Sequence, residues 1–344
     1  MAIRVLVIDD SAFARKVVRE LLTSAGMEVV GIARDGLEAL EKIAELKPDV
    51  ITLDMVMPNL DGLGVLAALP AENRPRVVVV SMAGEDSALG IAALHAGAVE
   101  LVRKPTAMAV ERLYEISAEL IAAVTAAATA RSPAVGPVAV PLAAPMVLPA
   151  LRLAPLRKSI LVVGASTGGP QSLTRLIKAL PESFPIPVAL VLHLPAGYTQ
   201  AFSERLDNEC ALEVLEATPG LELKAGRVLV ARAGIHLKIL RDGTRLHAQL
   251  DPLPTASAHR PSVNALFESA ALACGGGVLG VVLTGMGDDG TLGARAIHAA
   301  GGELLTESER SCVVYGMPRC VDEAGLSAKS VDLDGMAAEI LRRI

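Results

Sequence analysis

Tryptophan is absent from this 344-residue chain, and three tyrosines and four phenylalanines bring its aromatic content to only 2%. Base-stacking platforms for single-stranded nucleic acid rest on aromatic faces, so that class of function is excluded. Basic charge is not in excess either. The formal net charge of −6 leaves no electrostatic footprint for a phosphate backbone, and no nucleic-acid partner is expected. The four cysteines (Cys210, Cys274, Cys312 and Cys320) show no CxxC spacing, which argues against both a zinc site and a disulfide framework and fits a reducing, cytoplasmic setting. No uninterrupted apolar stretch of about 18 residues precedes a charge in a way that would span a bilayer. The opening MAIRVLVIDD meets acidic residues too early for a secretory signal. A cytoplasmic protein without membrane insertion is expected.

What is present is apolar and folded in character: 52% hydrophobic against 20% charged residues. The length exceeds what one core organises, so two domains are expected. Their divide is visible at residues 126–157, a Pro/Ala-rich stretch with six prolines and no acidic residue. Pro133, Pro137, Pro141, Pro145 and Pro149 recur every four residues, which forbids a helix and breaks any strand ladder. A semi-rigid, partly polyproline linker follows. Residues 1–125 carry 12 basic and 18 acidic side chains, whereas 158–344 carry 17 and 20, so the negative charge concentrates in the first segment.

In both segments short apolar runs alternate with amphipathic stretches. Candidate strands are 3–8, 28–33, 49–53, 76–81 and 99–103, with Phe13, Val17, Leu21 and Ala25 forming a helical stripe between the first two. The second segment repeats the habit at 159–164, 187–193, 278–285 and 302–305. Between these, KAGRVLVARAGIHLKILRDGTRLHAQLD reads as hairpins, with a turn at Arg241-Asp242-Gly243-Thr244. Strands alternating with helices predict parallel, doubly wound sheets, so both segments read as α/β.

Ligands of such sheets sit beyond the carboxyl ends of the strands. In the first segment those ends carry Asp9, Asp10, Asp54, Ser81 and Lys104. Clustered carboxylates repel one another unless a cation joins them, and an all-oxygen donor set suits Mg²⁺. Asp54 could then be a nucleophile toward a phosphoryl group whose oxygens Ser81 and Lys104 hold. Strand-end Asp residues also serve as plain helix caps, which remains open for Asp9 or Asp10 alone. Five such residues on four strands favour the site.

This constellation resembles the receiver domain of two-component response regulators over about residues 1–125. The pieces that carry the likeness are Val7-Ile8-Asp9-Asp10-Ser11, Leu53-Asp54-Met55-Val56-Met57-Pro58, Asp61-Gly62, Val80-Ser81 and Lys104-Pro105. The resemblance implies Asp54 as phosphoacceptor. It also implies Mg²⁺ on Asp10, Asp54 and the Val56 carbonyl, with Asp9 acting through water. Leu101 stands where many receivers carry a switch aromatic.

In the second segment Gly164-Ala165-Ser166-Thr167-Gly168-Gly169-Pro170 lies between a strand and a helical pattern. Its G-x-S-x-G spacing is that of a nucleophile elbow, although a Gly-rich turn can equally bind phosphate at a helix N-terminus. A serine nucleophile needs a base and an orienting acid. Of six histidines, His193 ends the strand VALVLH; His236, His259 and His298 have no such position. The acid is best sought in Leu283-Thr284-Gly285-Met286-Gly287-Asp288-Asp289-Gly290, where spacing alone admits either Asp288 or Asp289. The order Ser…His…Asp differs from that of α/β-hydrolases and suggests an independent hydrolase fold.

Together with H-L-P-A-G-Y-T (193–199), H-R-P-S-V (259–263) and C-V-V-Y-G-M-P-R (312–319), these motifs resemble the chemotaxis protein-glutamate methylesterases over about residues 158–344. The resemblance implies a triad of Ser166, His193 and Asp289, with Asp288 a bystander. It places the Met286 amide at an oxyanion hole and Thr167 beside the nucleophile. Leu192, Leu194 and Arg232-Ala233 depart from the family pattern at positions bearing on partner fit.

The whole chain is thus expected to comprise a receiver (1–125) of (βα)5 type, a linker (126–157) and a mainly parallel α/β catalytic domain with a hairpin insertion (158–344). The resemblance implies a phosphorylation-regulated serine hydrolase that demethylates glutamate methyl esters, and deamidates glutamines, on methyl-accepting chemoreceptors. Mg²⁺ serves the receiver, no cofactor the esterase, and a histidine kinase is the phosphodonor. A DNA-binding regulator would need a basic recognition helix, which the acidic 158–344 lacks. A noncatalytic adaptor would have lost part of the triad, and all three members are there.

Overall fold

The computed structural model describes residues 2–70, 73–82, 87–104, 115–130, 158–253 and 259–344. Pro105 and residues 131–157, with the linker prolines, lie outside the described residues.

The first sheet has five parallel strands: β1 (Arg4–Ile8), β2 (Glu28–Ala33), β3 (Val50–Leu53), β4 (Arg76–Ser81) and β5 (Glu100–Arg103), in the order β2-β1-β3-β4-β5. The helices α1 (Ala12–Ser24), α2 (Gly36–Leu46), α3 (Gly62–Ala68), α4 (Ser87–His95) and α5 (Glu115–Thr129) accompany it. Side chains at Ser11, Asp35 and Asp61 accept backbone N–H bonds and cap the first three helices. Strand order reverses direction between β1 and β3, which opens the crevice where Asp9, Asp10 and Asp54 emerge.

Three expectations need correcting. The buried face of α1 is Val18, Leu21 and Leu22, whereas Phe13 stays 39% exposed. The stripe is rotated by one position because α1 packs against both β1 and β2. Secondly, α5 runs through Thr129, so the first four residues of the expected linker are helical; Ala126, Ala127 and Ala130 are buried. With no proline between Pro105 and Pro133, Ala-rich chain simply continues the helix.

The second sheet has seven strands, all paired in parallel. These are β6 (Ile160–Ala165), β7 (Val188–Leu192), β8 (Glu213–Glu216), β10 (Arg227–Val230), β13 (Val278–Val282), β14 (Glu303–Glu307) and β15 (Lys329–Val331). Their order is β15-β14-β13-β6-β7-β10-β8. The third correction concerns β10. Read as part of the hairpins, it instead joins the main sheet between β7 and β8, because Val228, Leu229 and Val230 are apolar on both faces and only a doubly covered strand buries them. The antiparallel insertion is therefore limited to β9 (Glu222–Leu223), β11 (His236–Asp242) and β12 (Arg245–Asp251), the last two closing at Asp242 and Arg245 as expected.

Around this sheet lie α6 (Gly169–Lys178), α7 (Thr199–Glu209), α8 (Val263–Cys274), α9 (Thr291–Ala299), α10 (Met317–Glu323) and α11 (Leu333–Arg343). β6, β7 and β13 are buried along their whole length and form its centre. The order turns outward in both directions from β6 and β13, so their carboxyl ends form the second crevice. Both sheets thus place their expected site residues at a topological switch point.

Candidate active site

In the first crevice Asp9 and Asp54 are buried and Asp10 is exposed, with carboxylate oxygens all within 4.8 Å of one another. The Lys104 ammonium lies 2.7 Å from an oxygen of each buried carboxylate. Burial raises the pKa of Asp54, a tendency that Lys104 opposes and Asp9 reinforces. Burial also disfavours the charge on Lys104, yet Asp54 and Asp9 outweigh it and push that pKa up. Met55 N–H donates to Asp54 Oδ1 at 2.8 Å, which fixes the carboxylate with Oδ2 toward Lys104. The Ser81 hydroxyl is buried and has no hydrogen-bond partner among the described residues. Val56 is 51% exposed at the mouth. An all-oxygen carboxylate donor set of this kind fits a Mg²⁺ ion, and the orphaned hydroxyl fits an incoming phosphoryl oxygen.

In the second crevice Ser166 follows β6, and its N–H donates to Thr284 O at 3.0 Å. Gly168, at φ +76°, then turns the chain into α6. A side chain on Gly285 would stand 2.8 Å from Ser166 Cβ, so only glycine lets the β13 loop pass the serine. Thr284 ties the two loops together: its hydroxyl donates to Thr167 O at 3.0 Å and accepts from Val314 N–H at 2.9 Å. Thr284 N–H in turn donates at 2.9 Å to the fully buried Glu307, whose carboxyl burial pushes up to about 7. The role of Glu307 has no sequence signal, since a Glu past the end of an apolar run reads as surface.

His193 follows β7, and its Nε2–H donates to Asp289 Oδ2 at 2.9 Å. Asp289 also accepts from the Ser262 hydroxyl at 2.8 Å, from Val263 N–H at 2.8 Å and from Asn264 N–H at 3.1 Å. Burial alone would raise its pKa, but the hydrogen bond and charge of His193 and the two α8 amides hold it down at about 2. The carboxylate is therefore ionised at neutral pH. Of the two candidates left open by spacing, Asp289 meets His193 and Asp288 is exposed. Asn264 Oδ1 accepts from Gly290 N–H and Gly293 N–H, locking this loop to the start of α8.

With Nε2 committed to Asp289, the remaining imidazole nitrogen, Nδ1, is buried without a partner among the described residues. It is the nitrogen left to take a proton from Ser166, to which no hydrogen bond is yet made; such bonds commonly tighten only around substrate. The backbone N–H groups of Thr167 and Met286 donate to no carbonyl among the described residues, which suits them to an oxyanion. Two histidines that have no strand-end position also belong here. His236 Nδ1 accepts from Ser262 N–H at 3.2 Å, and the His259 ring stacks on His193 with centroids 4.1 Å apart and planes 15° from parallel.

The two sheets meet over this crevice. Gly168 N–H donates to Val99 O at 3.4 Å, the Thr167 hydroxyl faces Glu100, and Val313 packs into the apolar cluster of β5 and α5. From α6, Gln171 donates to Ala98 O at 3.1 Å, and Thr174 meets His95 at 3.0 Å. Leu94 and Leu101 share one apolar cluster with Tyr198 and Phe202 of α7 and its N-terminal cap. The α4–β5 face of the first unit therefore lies directly beside the Ser166 loop.

Comparison with known proteins agrees with this arrangement. Residues 161–340 match the CheB methylesterase family and residues 5–116 the response regulator receiver domain. The chain is 61% identical over 344 residues to protein-glutamate methylesterase/protein-glutamine glutaminase 5 of Myxococcus xanthus, covering 99% of this chain and 98% of that one. It is 38% identical over 325 residues to the protein-glutamate methylesterase/protein-glutamine glutaminase of Thermotoga maritima, covering 94% of this chain and 93% of that one. The crystal structure of the Thermotoga maritima CheB methylesterase catalytic domain superposes with a TM-score of 0.53 at 35% identity, over 54% of this chain and 99% of that one. With a receiver domain in front of a catalytic domain of this kind, the chain belongs to the CheB methylesterase family.

Proposed function

We propose that this protein hydrolyses the side-chain methyl esters of modified glutamates on chemoreceptors, and deamidates glutamines there, under control of a phosphorylated receiver. Residues 1–130, with α5, act as the receiver, 131–157 as the connection and 158–344 as the catalytic domain. The observation that carries the reading is the 2.9 Å bond from His193 Nε2 to an Asp289 carboxylate held by three further donors.

In the reaction Ser166 Oγ attacks the ester carbonyl carbon while its proton passes to His193 Nδ1. Asp289 stabilises the imidazolium so formed without itself taking the proton. The amides of Thr167 and Met286 receive the developing oxyanion. Collapse breaks the carbon–methoxy bond, and His193 returns the proton to the leaving oxygen as methanol. Water then adds to the acyl-serine with His193 again as base, and glutamate and free Ser166 are regenerated. With glutamine the leaving group is ammonia.

In the receiver, Asp10, Asp54 and the Val56 carbonyl would hold Mg²⁺, with Asp9 reaching it through water; the ion would offset the charge of a phosphoryl group on Asp54. Ser81 and Lys104 bind its oxygens, and the phosphodonor is a histidine kinase. Substrates of this kind place the protein in the cytoplasm, and no helix among the described residues is long and apolar enough to cross a membrane. Methanol release from methylated receptor membranes tests the reading: wild type releases it and Ser166→Ala does not. Release that persists in Ser166→Ala would overturn it.

A further inference from the structure

A single hydrogen bond fixes one point of an imidazole ring but leaves the ring free to pivot about that bond. His193 is held in this way at Nε2 by Asp289, while Nδ1 has no partner among the described residues. Its side chain is nevertheless only 11% exposed, and a second ring lies flat against its face. That ring is His259, stacked nearly parallel at 4.1 Å and itself lying at the open side of the crevice. We propose that His259 is a positioning residue for the esterase reaction, whose ring clamps the His193 imidazole in the plane that keeps Nδ1 available to Ser166. This rests on the triad reading above and adds a residue to it.

The chemistry of the stack suits a base that becomes charged. Burial lowers the pKa of His259, the charge of His193 lowers it further, and Asp289 and Asp288 only partly offset this. Arg260, the next residue in the chain, adds no acid to the site. His259 therefore stays neutral at neutral pH and offers a π-face when His193 takes the Ser166 proton. A protonated His259 would instead repel the imidazolium. The clamp acts in the chemical step and not in holding the receptor, so its loss falls on kcat.

The test uses full-length protein phosphorylated with acetyl phosphate and Mg²⁺, with p-nitrophenyl acetate and methylated receptor membranes as substrates. His259→Ala should lower kcat about tenfold on both, the scale of one aromatic stack, with KM within about twofold and an unchanged melting temperature. His259→Phe, which keeps the stacked ring and lacks its nitrogens, should recover to within about threefold of wild type. An Ala variant as fast as wild type, a Phe variant as slow as Ala, or a loss confined to KM would each overturn the clamp. Ser166→Ala and His193→Gln, run alongside, report separately on the triad: activity in either would sink that reading whatever His259 does.

Discussion

The Tyr198 hydroxyl donates to the Met82 carbonyl at 2.9 Å and approaches the Ser81 carbonyl at 3.3 Å, joining the cap of α7 to the residues that end β4. Tyr198 is fully buried and lies five residues after His193, while Ser81 ends the strand beside the one that Asp54 follows. The segment that would sense a phosphoryl group and the segment that carries His193 thus touch through one side chain. Its ring packs on Gly90, and Leu101, standing where many receivers carry an aromatic, meets the same glycine.

If docking holds the esterase in check, Tyr198→Phe should weaken it by about one hydrogen bond, roughly 1 kcal/mol, and raise the unphosphorylated rate about fivefold on methylated receptor. The phosphorylated rate should change little. A Phe variant with a lower unphosphorylated rate than wild type would mean that the contact helps assemble the site.

Asp289→Asn should cut turnover by about 10³–10⁴-fold, because the amide favours the wrong imidazole tautomer. Asp288→Asn should stay within about threefold, since its exposed carboxylate meets no triad member. Steady-state methanol release with melting temperatures separates lost chemistry from lost fold. The opposite ranking of the two variants would dismiss the assignment of the acid.

Incubation with radiolabelled acetyl phosphate should label Asp54 in the presence of Mg²⁺ and leave Asp54→Asn unlabelled. Lys104→Ala should destabilise the pair Asp9–Asp54 by removing the cation 2.7 Å from both carboxylates, and should impair activation more than labelling. Label retained in excess chelator would argue against a metal-assisted site.

Glu100 supplies a pH dependence. Burial pushes its carboxyl up to about 7, against the Thr167 hydroxyl and the Leu101 N–H that favour its charge. Water reaching it on separation from the Ser166 loop would lower it toward the ordinary 4.5. Docking then takes up a proton: it carries no penalty below about 4.5, weakens as pH rises toward about 7, and loses nothing further above that. The ratio of unphosphorylated to phosphorylated rates should accordingly climb as pH rises toward about 7 and then level off, with the pH dependence of the common chemical step cancelled. In Glu100→Gln the ratio should be flat. An identical slope in that variant would remove Glu100 from the account.

Much of this was legible from the chain alone because strand ends are legible. Apolar runs such as VALVLH and VLGVVLTG announce buried parallel strands, and the polar residue that stops each run must lie at the rim of the sheet. That logic reaches Asp9, Asp54, Ser81, Ser166 and His193. It fails for β10, whose RVLV resembles a hairpin strand as readily as a central one. It fails also for His259, Ser262 and Glu307, which act from loops or from past the end of a recognised run, beside neighbours distant in sequence.

Periodicity and local motifs are short-range properties of the chain, and they suffice for the two α/β units, the residues at their carboxyl edges and the family. Spacing left Asp288 and Asp289 open and the resemblance favoured Asp289; the physical reason lies in packing, because the choice depends on which carboxylate the α8 amides and Ser262 can reach from more than twenty residues away. Tertiary structure alone stacked His259 on His193 and laid Glu100 against Thr167. The first two contacts arise only once the loops around the second sheet are packed together, and the third only once the two units meet; strand and helix periodicity encodes none of them.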